Sequence, residues 1–330
     1  MRIGIIGLGV VGEANRIGFQ SLGHQVSTHD IKYKHSTIQN VVDTDIVFVC
    51  VPTPSNDKGE CDTTIVEKVI NDLVEMKHQG IIAIRSSTVP GFTESMIKKY
   101  PDHKICFVPE FLRERCAVED FINNHEVLSV GTNDEEVYYK VVGAHGHYPK
   151  QRVQLSPTEA EVMKYYLNLY GATRVVFANA FYEICKKLNA NYSKVKDAYI
   201  KTGRHGDMYL DVSEDLRGYG GPCLPKDTRA IVRLMERLKI DMDFFRTVDS
   251  DKRMLKLTNE YLGTKSKRFD FENPPIDPRT LFEDMVKVMM EKKALGLSAV
   301  QVGIPYRVFI FGNYYDEKEI YSAFNPKIVD

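Results

Sequence analysis

The chain has no CxxC pair, no run of 18 apolar residues and almost no net charge. Its six cysteines, at 50, 61, 106, 116, 185 and 223, are scattered over 330 residues. That pattern argues against a zinc ribbon and a disulfide framework and fits a reducing, cytoplasmic compartment. Without a long apolar run nothing is expected to span a membrane. The apolar start MRIGIIGLGVVG differs from a secretory signal, because Glu13 follows it with no cleavage site. A net charge of -1 leaves no electrostatic footprint for nucleic acid or an anionic membrane surface. The expected partner is therefore a small molecule. The pair His145-Gly146-His147 has no convergent acids beside it, so no metal is expected.

What is present begins with a β-branched run, Ile3 to Ile6, closed by Gly7-Leu8-Gly9-Val10-Val11-Gly12. Glu13 to Leu22 then reads as a helix, and Gln25 to His29 as a second strand ending at Asp30. Strand, glycine turn, helix and an acid 18 residues after Gly12 form the fingerprint of a dinucleotide site. The glycines admit a pyrophosphate to the free N–H groups of the helix start. Asp30 hydrogen bonds the adenine ribose and would repel a 2′-phosphate, so NAD is expected rather than NADP. Apolar runs at Asp45 to Val51, Gly80 to Ile84, Lys104 to Val108 and Glu126 to Val130 alternate with helical stretches near 63–76, 91–99 and 134–142. This alternation predicts a Rossmann-like, doubly wound parallel sheet over residues 1–153.

Three loops at the C-terminal strand ends, where such sheets bind ligands, carry unusual residues: VPTP at 51–54, SSTVPG at 86–91 and PEFLRE at 109–114. In the last, Arg113 is expected to hold one of Glu110 and Glu114 while the other activates water. Ser156-Pro157-Thr158-Glu159 is a capping box with proline at the first helical position. It opens a helix to about Leu188, interrupted only by Gly171, which is longer than one small domain can cover and so is expected to meet a second subunit. Lys164 and Asn168 stand one turn apart on one face of it. Residues 154–263 thus read as an all-α middle domain built on this helix. Cys223 lies in GYGGPCLPKD, 218–227. A thiol kept for packing belongs among apolar neighbours. Glycines and prolines around it instead suggest a presented nucleophile.

Together these stretches resemble the family of nucleotide sugar dehydrogenases that oxidise UDP-glucose or GDP-mannose to the uronic acid. The matching residues are GLGVVG at 7–12, Asp30, VPTP, SSTVPG, PEFLRE, Lys164 with Asn168, Arg204 and GYGGPCLPKD, in family order over residues 1 to about 263. The resemblance implies that Cys223 is the catalytic nucleophile, with Asp227 beside it for water or proton transfer. Lys164 and Asn168 would stabilise the oxyanion, and Thr88 and Glu110 would position or activate the hydrolytic water. NAD would lie against Gly7 to Gly12, Asp30, Thr53, Thr88, Glu114 and Lys226. The nucleotide sugar would meet Glu110, Phe111, Leu112, Arg113, Glu114, Lys164, Asn168, Arg204 and the loop from Val212 to Gly220. Lys164 and Lys226 are expected to lower the thiol pKa. The family's dimer would form through the long helix. One departure is Arg115, where a glycine commonly follows PEFLRE.

Family members continue into a third, nucleotide-binding domain. Here TKSKRFDFENPPIDP intervenes, and 264–276 reads as a linker. A helix capped by Asp277-Pro278, with Leu281, Met285 and Met289 on one face, precedes GLSAVQVGIPYRVFIF. This small, partial α+β tail, 277–330, resembles the N-terminal half of a peptide deformylase, with Gln301 as the oxyanion residue. No cysteine follows 223 and no histidine follows 205, so deformylase activity is not expected. Two further readings stand beside the dehydrogenase: a single-step NAD-dependent hydroxyacid dehydrogenase, and an NAD-binding remnant without turnover.

Overall fold

The computed structural model describes residues 1–56, 59–204, 206–213, 219, 223–251, 268–271, 277–291, 296–299, 306–312 and 320–326. The chain divides into two compact units, Met1–Val212 with Tyr219–Lys252, and Ser213–Gly218 with Arg253–Asp330.

The first unit opens with β1 (Arg2–Ile6), α1 (Val10–Ser21), β2 (Gln25–His29), α2 (Gln39–Val42) and β3 (Ile46–Val49). It continues through α3 (Thr64–Glu75), β4 (Ile81–Ile84), α4 (Phe92–Lys99), β5 (Lys104–Phe107) and a 3-10 turn (Glu114–Cys116). Then come α5 (Ala117–Ile122), β6 (Val127–Gly131), α6 (Glu135–His145) and β7 (Gln151–Leu155). The strands lie in the order β2-β1-β3-β4-β5-β6-β7. β3 and β4 read IVFV and IIAI with every residue buried. Helices cover both sheet faces, so these strands have no polar side to alternate with. Each such side chain contributes about 1.5–3 kcal/mol of burial. On one face Phe19 of α1 and Phe121 of α5 pack against Ile5 and Phe48. On the other, Val66, Ile70 and Leu73 of α3 and Phe92 and Met96 of α4 pack against Val47 and Ile82.

The sheet is mixed rather than wholly parallel. β2 to β5 pair in parallel around β1 and β3, but β6 meets β5 antiparallel at Phe107 and Gly131, and β7 follows β6 in parallel. The cause is the connection after β5. Its helix α5 has six residues, about 9 Å of length, and packs on α1 instead of carrying the chain back across the sheet. β7 was not among the strands read from the sequence. Its pattern QRVQL, half-buried at best, is that of an edge.

α7 (Pro157–Lys187) begins at the capping box: Glu159 N donates to Ser156 Oγ at 3.3 Å, and Ser156 N to Glu159 Oε2 at 2.8 Å. Its 31 residues extend about 46 Å. α8 (Tyr192–Ile200), α9 (Leu224–Arg237) and α10 (Phe244–Asp251) pack on it, while its first turns rest on β6 and α4. Among the described residues no helix is long and apolar enough to cross a membrane.

The second unit contains α11 (Pro278–Glu291) and an antiparallel sheet of β8 (Gly296–Ser298), β9 (Val308–Gly312) and β10 (Ile320–Phe324) in the order β10-β9-β8. Leu281, Met285 and Met289, the face expected from spacing, pack on Leu297, Val308, Ile310 and Ile320. The linker reading needs correction in its described part. Phe269 is 2% exposed, exchanges hydrogen bonds with Asn325 at 2.6 and 2.9 Å and packs against Tyr306 and Phe324. It belongs to the tail's core. Gln301 lies outside the described residues.

Candidate active site

The glycine turn follows β1 and starts α1, as the sequence implied. Gly7 has φ 90°, and a Cβ there would stand 2.6 Å from the carbonyl oxygen of Cys50; one on Gly12 would stand 1.8 Å from that of Gly7. Only glycine fits at either place. At Gly9 a Cβ would meet nothing within 4 Å. Gly9 is also the N-cap of α1 and offers no side-chain cap. The helix start therefore has free N–H groups facing an open cradle, which suits a pyrophosphate. Leu8 is half-buried and Val10 exposed at this mouth, with Val11 between core and solvent. Beside it a cavity of about 490 Å³ is lined by Leu8, Glu13, Arg16, Thr28, Tyr33, His35, Ser36 and Asn40. Asp30, at the end of β2, accepts from Leu8 N at 2.6 Å and Lys32 N at 2.9 Å. Burial pushes its pKa up, but those two amides and nearby positive charge hold it below the usual value. The ionised acid stays in place for a ribose. The residues present fit NAD.

The loops after β4 and β5 are fastened by one face of α7. Lys164 Nζ donates to the Glu110 carbonyl at 2.5 Å and to its Oε1 at 3.0 Å, and Leu112 N donates to Glu110 Oε2 at 2.9 Å. Both charged side chains are nearly buried, 6% and 11% exposed. Burial opposes each charge, yet the pair outweighs it: Lys164 rises above its ordinary pKa and Glu110 falls below. The Phe111 ring lies 5.6 Å from Lys164 Nζ. One turn on, Asn168 Nδ2 donates to Asp227 Oδ2 at 2.6 Å. Asp227 is fully buried and forms a 2.8 Å ion pair with Lys226 that lacks hydrogen-bond alignment.

Cys223 caps α9 and is exposed, unlike the buried Cys61, Cys106 and Cys185. Burial pushes the thiols of Cys50 and Cys106 up to about 12, as packing residues require. Cys223 stands in the field of Lys164, Glu110, Asp227 and Lys226. Here the expected lowering of its pKa is reversed. Loss of water on the side facing the protein raises it, Lys164 pulls it down, Glu110 and Asp227 push it up again, and the net direction is upward. The two amines are present, but each is already neutralised by a carboxylate.

Other expected residues separate from this cluster. Arg113 does not hold Glu110 or Glu114. Its guanidinium donates to Asp120 at 2.6 and 2.9 Å, an acid on α5 that Arg113 N also reaches at 2.8 Å. Glu114 and Arg115 are exposed in the 3-10 turn, and Arg204 is exposed after α8. Thr53 is buried after β3. Thr88 Oγ1 donates to Glu161 Oε1 at 3.0 Å. Gly220 and residues 214–218 lie outside the described residues.

Two polar groups near the site, Glu161 and Arg85, escaped the sequence reading. Glu161 is fully buried on α7, one turn before Lys164; a charge that close to Lys164 on the same face was the available signal. Arg85, 4% exposed, donates to His145 Nε2 at 2.9 Å, and its guanidinium lies 5.5 and 5.6 Å from the rings of Phe48 and Phe121. His145 of the histidine pair is thus a buried acceptor at the end of α6, and burial first, then Arg85, drive its pKa well down. Nothing local in the sequence joins positions 85 and 145.

Residues 28–144 match the NAD binding domain of the UDP-glucose/GDP-mannose dehydrogenase family, and 158–251 match that family's central domain. Residues 251–330 match the polypeptide deformylase family. The UDP-glucose 6-dehydrogenase of Rickettsia typhi is 27% identical over 289 residues, 75% of this chain and 66% of that protein. UDP-glucose 6-dehydrogenase TuaD of Bacillus subtilis is 27% identical over 71% of this chain and 59% of its own length. The chain spans about half to two thirds of the length of the curated relatives it matches. Among solved structures, a UDP-glucose dehydrogenase from Pyrobaculum islandicum superposes with TM-score 0.70 at 24% identity, covering 88% of this chain and 71% of that one. GDP-mannose dehydrogenase from Pseudomonas aeruginosa gives 0.57 at 22% identity, covering 82% and 72%. These likenesses in structure show a shared fold.

Proposed function

The chain belongs to the UDP-glucose/GDP-mannose dehydrogenase family through residues 28–144 and 158–251, and on that premise we propose that it oxidises the primary alcohol of a UDP-hexose or GDP-hexose to the uronic acid with two equivalents of NAD. The observation that carries this reading is the exposed Cys223 at the start of α9, in the field of two amines and two carboxylates. NAD, bound against Gly7 to Gly12 and Asp30, supplies the hydride acceptor at each of the two oxidation levels.

An alcohol reaches the acid level only through an aldehyde, which could escape if left free. Cys223 Sγ captures it as a thiohemiacetal, whose oxidation leaves a thioester for water to hydrolyse. Because burial raises the thiol pKa, the proton leaves as the C–S bond forms, and Asp227 is the buried carboxylate available to take it. The oxyanion needs donors, and α7 retains two. An ammonium has three N–H bonds, of which Glu110 takes two from Lys164; an amide has two, of which Asp227 takes one from Asn168. One N–H from each is left, on successive turns of a single helix, for the oxyanion. Thr88 and Glu110 position the hydrolytic water. Phe111, Leu112 and Arg113 line the sugar side, and Glu114 and Lys226 lie toward the cofactor.

The partner we propose on α7 is a second copy of this chain. Val162, Tyr166, Tyr170, Phe177, Phe181, Ile184 and Leu188 are exposed along one stripe, Tyr166 at 72%. A continuous apolar stripe some 40 Å long is an interface when it occurs on a soluble protein. Six cysteines without a disulfide support a reducing, cytoplasmic setting.

The test is NADH formed per sugar consumed, with UDP-glucose, GDP-mannose and their N-acetyl relatives. Two equivalents are expected. One would favour a single-step hydroxyacid-type dehydrogenase, and none with NAD still bound would favour a remnant without turnover. Cys223→Ser should lower overall turnover by about a thousandfold or more.

A further inference from the structure

Glu161 takes no part in the chemistry above, yet it is fully buried at the centre of the arrangement. Its carboxylate collects four donors. Thr88 Oγ1 at 3.0 Å, Thr93 Oγ1 at 2.6 Å and Thr93 N at 2.9 Å converge on Oε1, and Gly91 N reaches Oε2 at 2.6 Å. All come from the loop after β4 and the first turn of α4. Fastening that loop would need only Thr93 and Gly91. The bond from Thr88 has a different consequence. A hydroxyl owns one hydrogen, and here it points at an acid that the other donors define as an acceptor. Toward every other neighbour Thr88 Oγ1 can only accept, and no other hydrogen bond to it occurs among the described residues.

We propose that Glu161 is a positioning residue which commits the Thr88 proton, so that Thr88 Oγ1 and the Glu110 carboxylate act as paired acceptors for the hydrolytic water. This rests on the thioester reading of the site. A water that attacks carbon must keep a lone pair on that carbon, so both its hydrogens need acceptors. Were Thr88 free to rotate, its hydroxyl could donate to the water and occupy that lone pair. With the proton committed, the water oxygen bonds to the thioester carbon and one of its protons passes to Glu110. The C–S bond then breaks with its electron pair returning to Cys223, and the acid product ionises to solvent. The same α7 face thus sets both acceptors, Thr88 through Glu161 and Glu110 through Lys164.

Glu161→Gln keeps the shape but turns one acceptor oxygen into an NH2 that meets a donor on either side, Gly91 N at one and the threonines at the other, so the hold on the Thr88 proton is weakened. With UDP-glucose or GDP-mannose, whichever yields two NADH with the wild type, this variant should release a rapid burst of two NADH per site. Steady turnover should then fall on the order of a hundredfold. Intact mass after acid quench should show the sugar acyl group on Cys223. Thr93→Val, which removes another donor from the same carboxylate, should stay within about twofold of wild type. If Glu161→Gln does not fold, Glu161→Asp, with the acceptor drawn back by one methylene, should show the same burst and acyl mass. The proposal is overturned if both oxidations slow together with turnover, if no acyl-enzyme accumulates, or if Thr93→Val reproduces the burst and stall. A wild type that makes no NADH removes the dehydrogenase reading and this role with it. A wild type that makes two, beside unaffected Glu161→Gln and Glu161→Asp variants, removes this role alone.

Discussion

The inner side of α7 carries Glu161 and Lys164, hydrogen-bonded to the loops after β4 and β5, and Asn168, hydrogen-bonded to Asp227 of α9. Its outer side carries Val162, Tyr166, Tyr170, Phe177, Phe181, Ile184 and Leu188, all exposed. The usual surface helix buries its apolar stripe and wets its polar one; α7 instead buries Glu161 and Lys164 beside Tyr165, Leu169, Ala172 and Val175, and leaves a second apolar stripe exposed. Burying charge costs several kcal/mol per ion unless the partners and their geometry are well matched. Exposing a long apolar stripe forgoes burial that a partner would restore. Each side therefore requires an explanation beyond the stability of a lone chain. The proposed catalysis would account for the inner side, and the proposed second subunit for the outer side.

The largest test of this contrast is on the inner side. Lys164→Met strands the nearly buried Glu110 charge and should destabilise the protein by about 3–5 kcal/mol near neutral pH in chemical denaturation. The effect also has a pH signature. In the wild type the folded pKa of Glu110 is depressed, so its contribution is present above the unfolded value of about 4.3 and is lost as pH falls below it. Without Lys164, burial dominates and raises the folded pKa. The variant's carboxyl then favours folding below about 4.3 and opposes it as pH rises through the new value. The gap between the two proteins should narrow from pH 7 to pH 4; a constant gap would mean that Lys164 acts by packing alone.

On the outer side, Phe177→Asp with Phe181→Asp targets two rings in contact at 4.7 Å. The pair should raise the dimer dissociation constant about a hundredfold in sedimentation experiments while leaving the monomer folded. A wild type that sediments as a monomer at micromolar concentration would end the dimer reading. The smallest effect is at the helix start, which serves both sides alike. Ser156→Ala removes the capping hydroxyl and should cost about 1 kcal/mol with no change in the dimer constant.

Much of this was legible along the chain. The glycine turn and Asp30 were readable because a pyrophosphate site needs glycines at fixed spacing, β1 and β3 to β6 because strands covered on both faces are short apolar runs, and the edge strand β2 from its place between the first helix and Asp30. α7 was readable at both ends from its capping box and unbroken pattern. The reversal of β6 was not, since it depends on where a six-residue α5 comes to rest on α1. Arg113 was assigned to neighbouring glutamates because they were close in sequence. Asp120 takes it because α5 brings that acid within 2.6 Å. The rise in the Cys223 pKa was likewise hidden, as it follows first from loss of water on the thiol's protein side and then from carboxylates that offset the amines around it.

The order of residues alone determined that a dinucleotide turn, a long capped helix and a glycine-flanked thiol occur in one chain, for these depend on local spacing and backbone geometry. Only the tertiary structure decided which acid each base meets, that Glu161 receives the Thr88 proton, and which side of α7 is left uncovered. Those outcomes depend on distances between residues far apart in sequence, where burial and Coulomb forces act and local pattern carries no information.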